Sequence, residues 1–204
     1  MRLWGSGLSR TLWTGLRIML VFTFVLGVVY PLVITGVGQL VFPGQANGSL
    51  LKNTDGQVVG SKLIGQSFAD AAGRPLPRYF QPRPSAAGDG YDAANSGGTN
   101  QGPEDPDLIA AITERRAQIA AFNGVAPADV PPDALTASAS GLDPDISPAY
   151  ARLQVDRVAR ARGLAPDRVR ALVDEYTSAP DLGYIGQARV NVVALNLALD
   201  EYHG

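Results

Sequence analysis

The sequence predicts an α+β protein, with a single N-terminal transmembrane helix followed by one α-rich mixed domain. Three observations carry this reading. An uncharged apolar run extends from residue 18 to residue 51. The rest of the chain contains several amphipathic stretches at helical spacing, two of them opened by a capping residue and a proline and a third by a proline. Only short segments between them carry strand character.

The run Ile18–Leu40, IMLVFTFVLGVVYPLVITGVGQL, is long enough to cross a bilayer core as a helix. A cleaved secretory signal usually has a shorter apolar stretch ending in a small-residue cleavage site, and neither feature is seen here. Arg2, Arg10 and Arg17 precede the run, whereas the far side offers only Lys52 and Lys62 nearby. The preference for positive flanks on the inner side then puts residues 1–17 in the cytoplasm, the helix at 18–41 and residues 42–204 outside. Pro31 removes one backbone donor inside the span and deprives the Gly27 carbonyl of its usual partner. Thr23, Gly27, Pro31 and Thr35 recur every four residues, and such small residues on one face favour close packing against another membrane helix.

Beyond the span, Phe42–Ser49 reads as a turn-rich exit. Gln57–Gly60 and Tyr79–Gln81 read as short strands. Residues 82–106 form a long Gly-, Ser-, Asn-, Asp- and Pro-rich segment, which at that length is expected to be partner-facing or flexible. Asp105-Pro106 opens a helix carrying Leu108, Ile112, Ile119 and Phe122. Ser147-Pro148 starts another, which should run to Arg162 and stop at Gly163. Pro166 opens a third, with Val169, Leu172, Val173 and Tyr176 on one stripe. A last helix after Arg189 should bury Val192, Leu195, Leu199 and Tyr202.

Composition narrows the chemistry. The chain has no cysteine, and its one histidine, His203, is next to the C-terminus and reads as a tail residue. Thiolate metal sites and Cys/His catalysis are therefore ruled out. Gly60-Ser61-Lys62 is not a phosphate loop, because its order is wrong. Asp143 and Asp145 lie in a proline-broken turn, where Asp before Pro is an ordinary device. Nothing in the sequence resembles an active site. Arg152, Arg157, Arg160, Arg162, Arg168 and Arg170 concentrate charge on two helices, but interleaved acids favour a solvated face with intrahelical ion pairs over a nucleic-acid reader. The Gly-rich string Ser96–Pro103 is compatible with an anion-binding nest of amides. An outward location would keep it from cytosolic ATP, so a structural loop is the simpler reading.

Several segments, in order along nearly the whole chain, resemble the C subunit of the bacterial Kdp potassium-transporting ATPase. They are Tyr30-Pro31-Leu32, Gly60–Gln66, Tyr79–Ala86, Ser96–Pro103, Thr136–Gly163 (TASASGLDPDISPAYARLQVDRVARARG) and Arg189–Val192 with Leu195-Asn196. The family pattern differs at Ala139, where a second glycine is usual, at Asp145, where His is common, and at Gln187-Ala188, where Glu-Pro is usual. Any role needing that imidazole is in doubt in this chain. The resemblance implies a non-catalytic inner-membrane subunit, with the D-K-T-G phosphorylation motif carried by the B subunit. Its partners would be the A, B and F subunits and the lipid bilayer, and potassium would be the transported ion. The family is described as a catalytic chaperone that raises the B subunit's affinity for ATP, which would reach this chain only through that subunit. Ser96, Gly97, Gly98, Asn100, Ser138, Gly141, Asp143 and Gln154 are the candidate contacts for partner or nucleotide. Alternatives are an outer cap or cation filter at the A subunit's potassium entry, using Asp143, Asp145 and Asp181, or a membrane-anchored sensor domain.

Overall fold

A computed structural model describes residues 5–202, and His203 lies outside them. The chain divides into two compact units, one up to Ser49 and one from Leu50.

The first unit is helical. Helix α1 (Gly5–Phe24) passes through a wide π turn (Val25–Val29) into α2 (Tyr30–Val41), and a short α3 (Pro43–Ala46) follows. The stretch Gly7–Val41 is long and apolar enough to cross a membrane. Its 35 residues span about 52 Å, so the helix begins well ahead of the expected start at residue 18 and outruns a bilayer core of roughly 30 Å. Arg17 stacks over the Trp13 ring one turn away, 4.9 Å from its centroid, a pairing suited to the membrane–water boundary.

The π turn has a visible cause. Pro31 cannot donate, and its ring would crowd the Gly27 carbonyl in a regular helix. Widening the preceding turn relieves this, with the Tyr30 N–H reaching back five residues to the Val25 carbonyl. It also changes the phase of the helix. In a straight α-helix, Thr23 and Thr35 would stand about 120° apart around the axis. The extra residue removes about 100° of that angle, leaving about 20°. Thr23, Gly27, Pro31 and Thr35 are thereby drawn onto one narrow stripe, all four exposed.

In the second unit, a hairpin of β1 (Leu50–Lys52) and β2 (Val58–Ser61) precedes a long segment without regular structure. Helix α4 (Pro106–Asn123) follows, capped by the Asp105 carboxylate accepting from Asp107 N–H and closed by Gly124 in the left-handed region. Next come β3 (Asp145–Ile146), α5 (Pro148–Arg162), α6 (Pro166–Glu175), β4 (Thr177–Ser178), β5 (Arg189–Asn191) and α7 (Val192–Glu201). The three short strands form an antiparallel sheet in the order β3-β5-β4. Helix α5 has the expected bounds: the Ser147 hydroxyl accepts from Tyr150 N–H, and Gly163 ends it at φ 68°. Asn191 is at once the last residue of β5 and the cap of α7, accepting from Ala194 N–H at 3.0 Å.

One core holds these elements together. Val155 and Val158 of α5, Val169 and Val173 of α6, Ile146 and Val190 of the sheet, and Leu195 and Leu199 of α7 are all buried, with Phe80 inserted among them. Tyr202, expected on the buried face of α7, follows the end of the helix and is exposed.

Tyr79–Gln81 is not a strand. The backbone leaves a turn at Tyr79 and is met at Phe80 and Gln81 by two side-chain carboxamides that take the place of a neighbouring strand. Asn196 accepts from Phe80 N–H and donates to Phe80 C=O, both at 2.9 Å. Gln154 accepts from Gln81 N–H at 2.7 Å and donates to Gln81 C=O at 3.1 Å. Arg157 then closes the network. Its guanidinium donates to the Asn123 side chain, the carbonyls of Pro77 and Tyr79, and the Gln154 carboxamide oxygen, and it stacks over Phe122 at 4.5 Å.

The arginines are accordingly not one solvated face. Arg157 is buried, and burial lowers its pKa to about 10, leaving it charged at neutral pH. Arg162 crosses to the carbonyls of Arg78 and Leu199 and to Asp200. Arg152 joins α5 to Asp174 of α6, and of the six only Arg170, with Asp167, makes an ion pair within its own helix among the described residues. Helical spacing alone could not separate the arginine facing Phe122 from those facing water. Arg157→Gln should cost roughly 3 kcal/mol or more, because it strips the donor from the buried Asn123 and Gln154 carboxamides and from two part-buried carbonyls. Arg152→Gln should cost less than about 1 kcal/mol. Urea unfolding of the full chain in detergent, followed by near-ultraviolet circular dichroism, separates the two.

Candidate functional site

Most of the expected contact residues gather where residues 83–98 lie against residues 136–143. The Ser96 hydroxyl donates to Ser140 C=O at 2.9 Å, and Gly97 N–H donates to the same oxygen at 3.0 Å. Gly98 lies so close to Ala139 that an added Cβ would stand 3.0 Å from its carbonyl oxygen. Ser138 is buried, with its hydroxyl 3.5 Å from that of Ser140. Gly141 is the tightest point. It has φ 67°, and a Cβ there would fall 2.6 Å from Ala87 N and 2.8 Å from Gly97 O. The Ser85 hydroxyl donates to Gly141 C=O at 2.6 Å and accepts from the backbone amides of Ala87 and Tyr91. The long segment is therefore pinned by its serines and glycines at this junction.

Asp143 lies beside the junction. Its carboxylate pairs with Arg83 at 2.8 Å and accepts from Asp145 N–H at 3.0 Å, while Arg83 also donates to Thr136 C=O at 3.3 Å. Asp145 lies 3.5 Å from Arg189. Burial raises the Asp145 pKa above 3.8, the neighbouring Asp143 charge adds to that, and Arg189 and Asn191 oppose it. Asp133 accepts from both the amide and the hydroxyl of Ser147 at 2.8 Å. These three carboxylates and Arg83 border a cleft of about 360 Å³.

Two of the expected residues lie elsewhere. Asn100 is exposed, at φ 53°, on the far stretch of the long segment. Gln154 is wholly buried in the core, its carboxamide engaged with Gln81 and Arg157. Sequence reading missed Arg83, Ser85 and Asn196. For Asn196 a signal was present: a carboxamide between Leu195 and Leu199 on an apolar helix face needs a buried partner.

Two substitutions test this geometry. Gly141→Ala should cost about 2 kcal/mol or more and speed amide hydrogen exchange at Ala87 and Gly97. Gly102→Ala, where an added Cβ meets nothing within 4 Å, should leave both unchanged. Asp145→Asn tests the raised acid. A carboxyl whose folded pKa exceeds its unfolded value favours folding most below the unfolded value and loses that contribution as pH rises through the folded one. The variant should therefore gain melting temperature relative to the parent at pH 7, and the difference should vanish as pH falls below about 4.

Comparison with known proteins places the chain. The family model described as "KdpC: K+-transporting ATPase, c chain" matches residues 12–201. The potassium-transporting ATPase KdpC subunit of Kineococcus radiotolerans is 56% identical over 194 residues, 95% of either chain. That of Caulobacter vibrioides is 57% identical over 180 residues, 88% of this chain and 87% of its own. That of Mycobacterium tuberculosis is 52% identical over 195 residues, 95% of this chain and 99% of its own. With a match that spans both the membrane-crossing helix and the folded unit, the chain belongs to the KdpC family, the c chain of potassium-transporting ATPases.

Proposed function

We propose that the chain is the accessory subunit of an ATP-driven potassium uptake complex, assembling with A, B and F subunits and raising the B subunit's affinity for ATP. The carrying observation is the family match along nearly the whole chain, membrane helix included. The arginine-rich start of α1 supports an N-terminus on the cytoplasmic side, with the second unit outside. From there, its action on nucleotide is by linkage: the folded unit binds best to the pump conformation with higher ATP affinity and so favours it. Gln154 fits this reading as a residue that holds the unit's shape, since its carboxamide is fully engaged inside the core. The junction at Ser96–Gly98 and Ser138–Gly141, with Asp143, is the surface offered to a partner subunit.

A cap or cation filter at the ion entry fits less well. Asp143 has Arg83 at 2.8 Å, while Asp145 and Asp181 have Arg189 at 3.5 and 3.8 Å. Each of the three thus has a cationic neighbour within the protein, two guanidinium groups serving them all.

The deciding measurement is potassium-stimulated ATPase activity of the purified complex, with and without this chain, across ATP concentrations. The expected outcome is an intact remainder with a several-fold higher ATP requirement. Collapse of the complex would restrict the role to assembly, and failure to copurify would refute the function. Gly27→Leu should reduce copurification by filling the narrow stripe on the membrane helix. Neutralising Asp143, Asp145 and Asp181 together should leave apparent potassium affinity unchanged, and a clear loss would favour the filter.

A further inference from the structure

A second cavity, of about 300 Å³, opens between the C-terminal half of α4, the Pro82–Pro84 stretch and the first turn of α5. Ile119, Phe122 and the two prolines give it apolar walls. The Phe122 ring is held from one side by the Arg157 guanidinium. Small-ligand sites have this character: a mostly apolar concavity with a few convergent polar groups.

The charged groups here are of one sign. Arg83 and Arg115 both line the cavity, and among the described residues no carboxylate does. Arg83 is already paired with Asp143. Arg115 is not: it gives one N–H to Leu135 C=O at 3.0 Å and makes no ion pair among the described residues. Tyr150 adds an independent sign. It is 3% exposed and lines the same cavity, yet among the described residues its hydroxyl has no hydrogen-bond partner. The hydroxyl keeps some contact with solvent, and the buried Nε of Arg83, a residue of the same wall, is likewise without a partner among the described residues.

We propose that this cavity binds a small organic monocarboxylate, its carboxylate held by the Arg115 guanidinium and the Tyr150 hydroxyl and its apolar body resting on Phe122 and Ile119. A guanidinium presents two parallel N–H groups that match the two oxygens of a carboxylate. The phenol supplies a third donor. Burial pushes the Tyr150 pKa up to about 12, with Arg157 opposing and Asp133 reinforcing the shift, so the hydroxyl keeps its proton at neutral pH. The apolar walls select against inorganic phosphate, whose remaining oxygens would lose water without gaining donors.

The test uses the full chain in detergent micelles and the probe 4-fluorobenzoate, followed by fluorine NMR line broadening. Empty micelles serve as the blank, and 4-fluorobenzamide as the uncharged analogue of the same shape. The expected result is saturable broadening of the carboxylate only, weakened about tenfold or more by Arg115→Gln. Tyr150→Phe should weaken it several-fold without loss of fold, and it decides the matter if Arg115→Gln does not fold. Excess inorganic phosphate should not displace the probe. Broadening no greater than in empty micelles, equal broadening of the amide, displacement by phosphate, or undiminished binding in a folded variant would each overturn the proposal.

Discussion

The backbone from Pro77 to Gln81 dips into the core at Phe80 with no neighbouring strand, and the second unit depends on how its polar groups are met. Phe80 must be buried to fill the space between α5 and α7, and burying it carries its amide and carbonyl out of water. An unpaired backbone group there costs as much as a lost hydrogen bond. Asn196 and Gln154 meet this need in the manner of a β-ladder, each side chain offering one donor and one acceptor in the spacing of a peptide unit. Arg157 extends the same solution to Pro77 and Tyr79 and ties it to Asn123 at the end of α4. Three helices are thereby joined to one irregular segment.

The long segment that follows is fixed by a different means. Fitted glycines and serine hydroxyls do the holding, and regular structure is absent. Gly141 and Gly98 let two backbones approach closer than a Cβ permits, and Ser85 and Ser96 supply donors to the carbonyls exposed by that approach. Gly65 makes a third such contact: its N–H donates to Leu142 C=O, and a Cβ would fall 2.7 Å from Asp143 O. The Gly- and Ser-rich composition that reads as a partner-facing or flexible loop is here the composition required for a closely appressed one.

In the first unit the controlling constraint is Pro31. A single missing donor widens one turn, and the widened turn reorders the helix surface beyond it. Four-residue spacing that would wind slowly around a straight helix becomes a straight stripe. A feature tolerated in membrane helices because neighbours repair it acts in this helix to align Thr23 with Thr35.

Helix starts and stops were legible in the sequence because their signals are local. Asp105-Pro106, Ser147-Pro148 with Gly163, and Pro166 each act within one turn of the helix they bound, and the structure places those helices at the expected residues. The apolar run and the family resemblance were legible for the same reason, being properties of contiguous residues. Residues joined across long separations were not legible. Phe80 meets Asn196 at a separation of 116 residues, and Gln81 meets Gln154 at 73; the apolar face around Asn196 marks it as buried, but no local pattern names the partner of either carboxamide. The same holds for Arg157, which differs from its neighbouring arginines only in the direction it faces once α5 has packed, and for the cavity beside Phe122, whose walls come from five separate stretches of chain. The sequence determined which segments coil and which residues can cap them. Only packing decided which polar groups are cut off from water and must find one another.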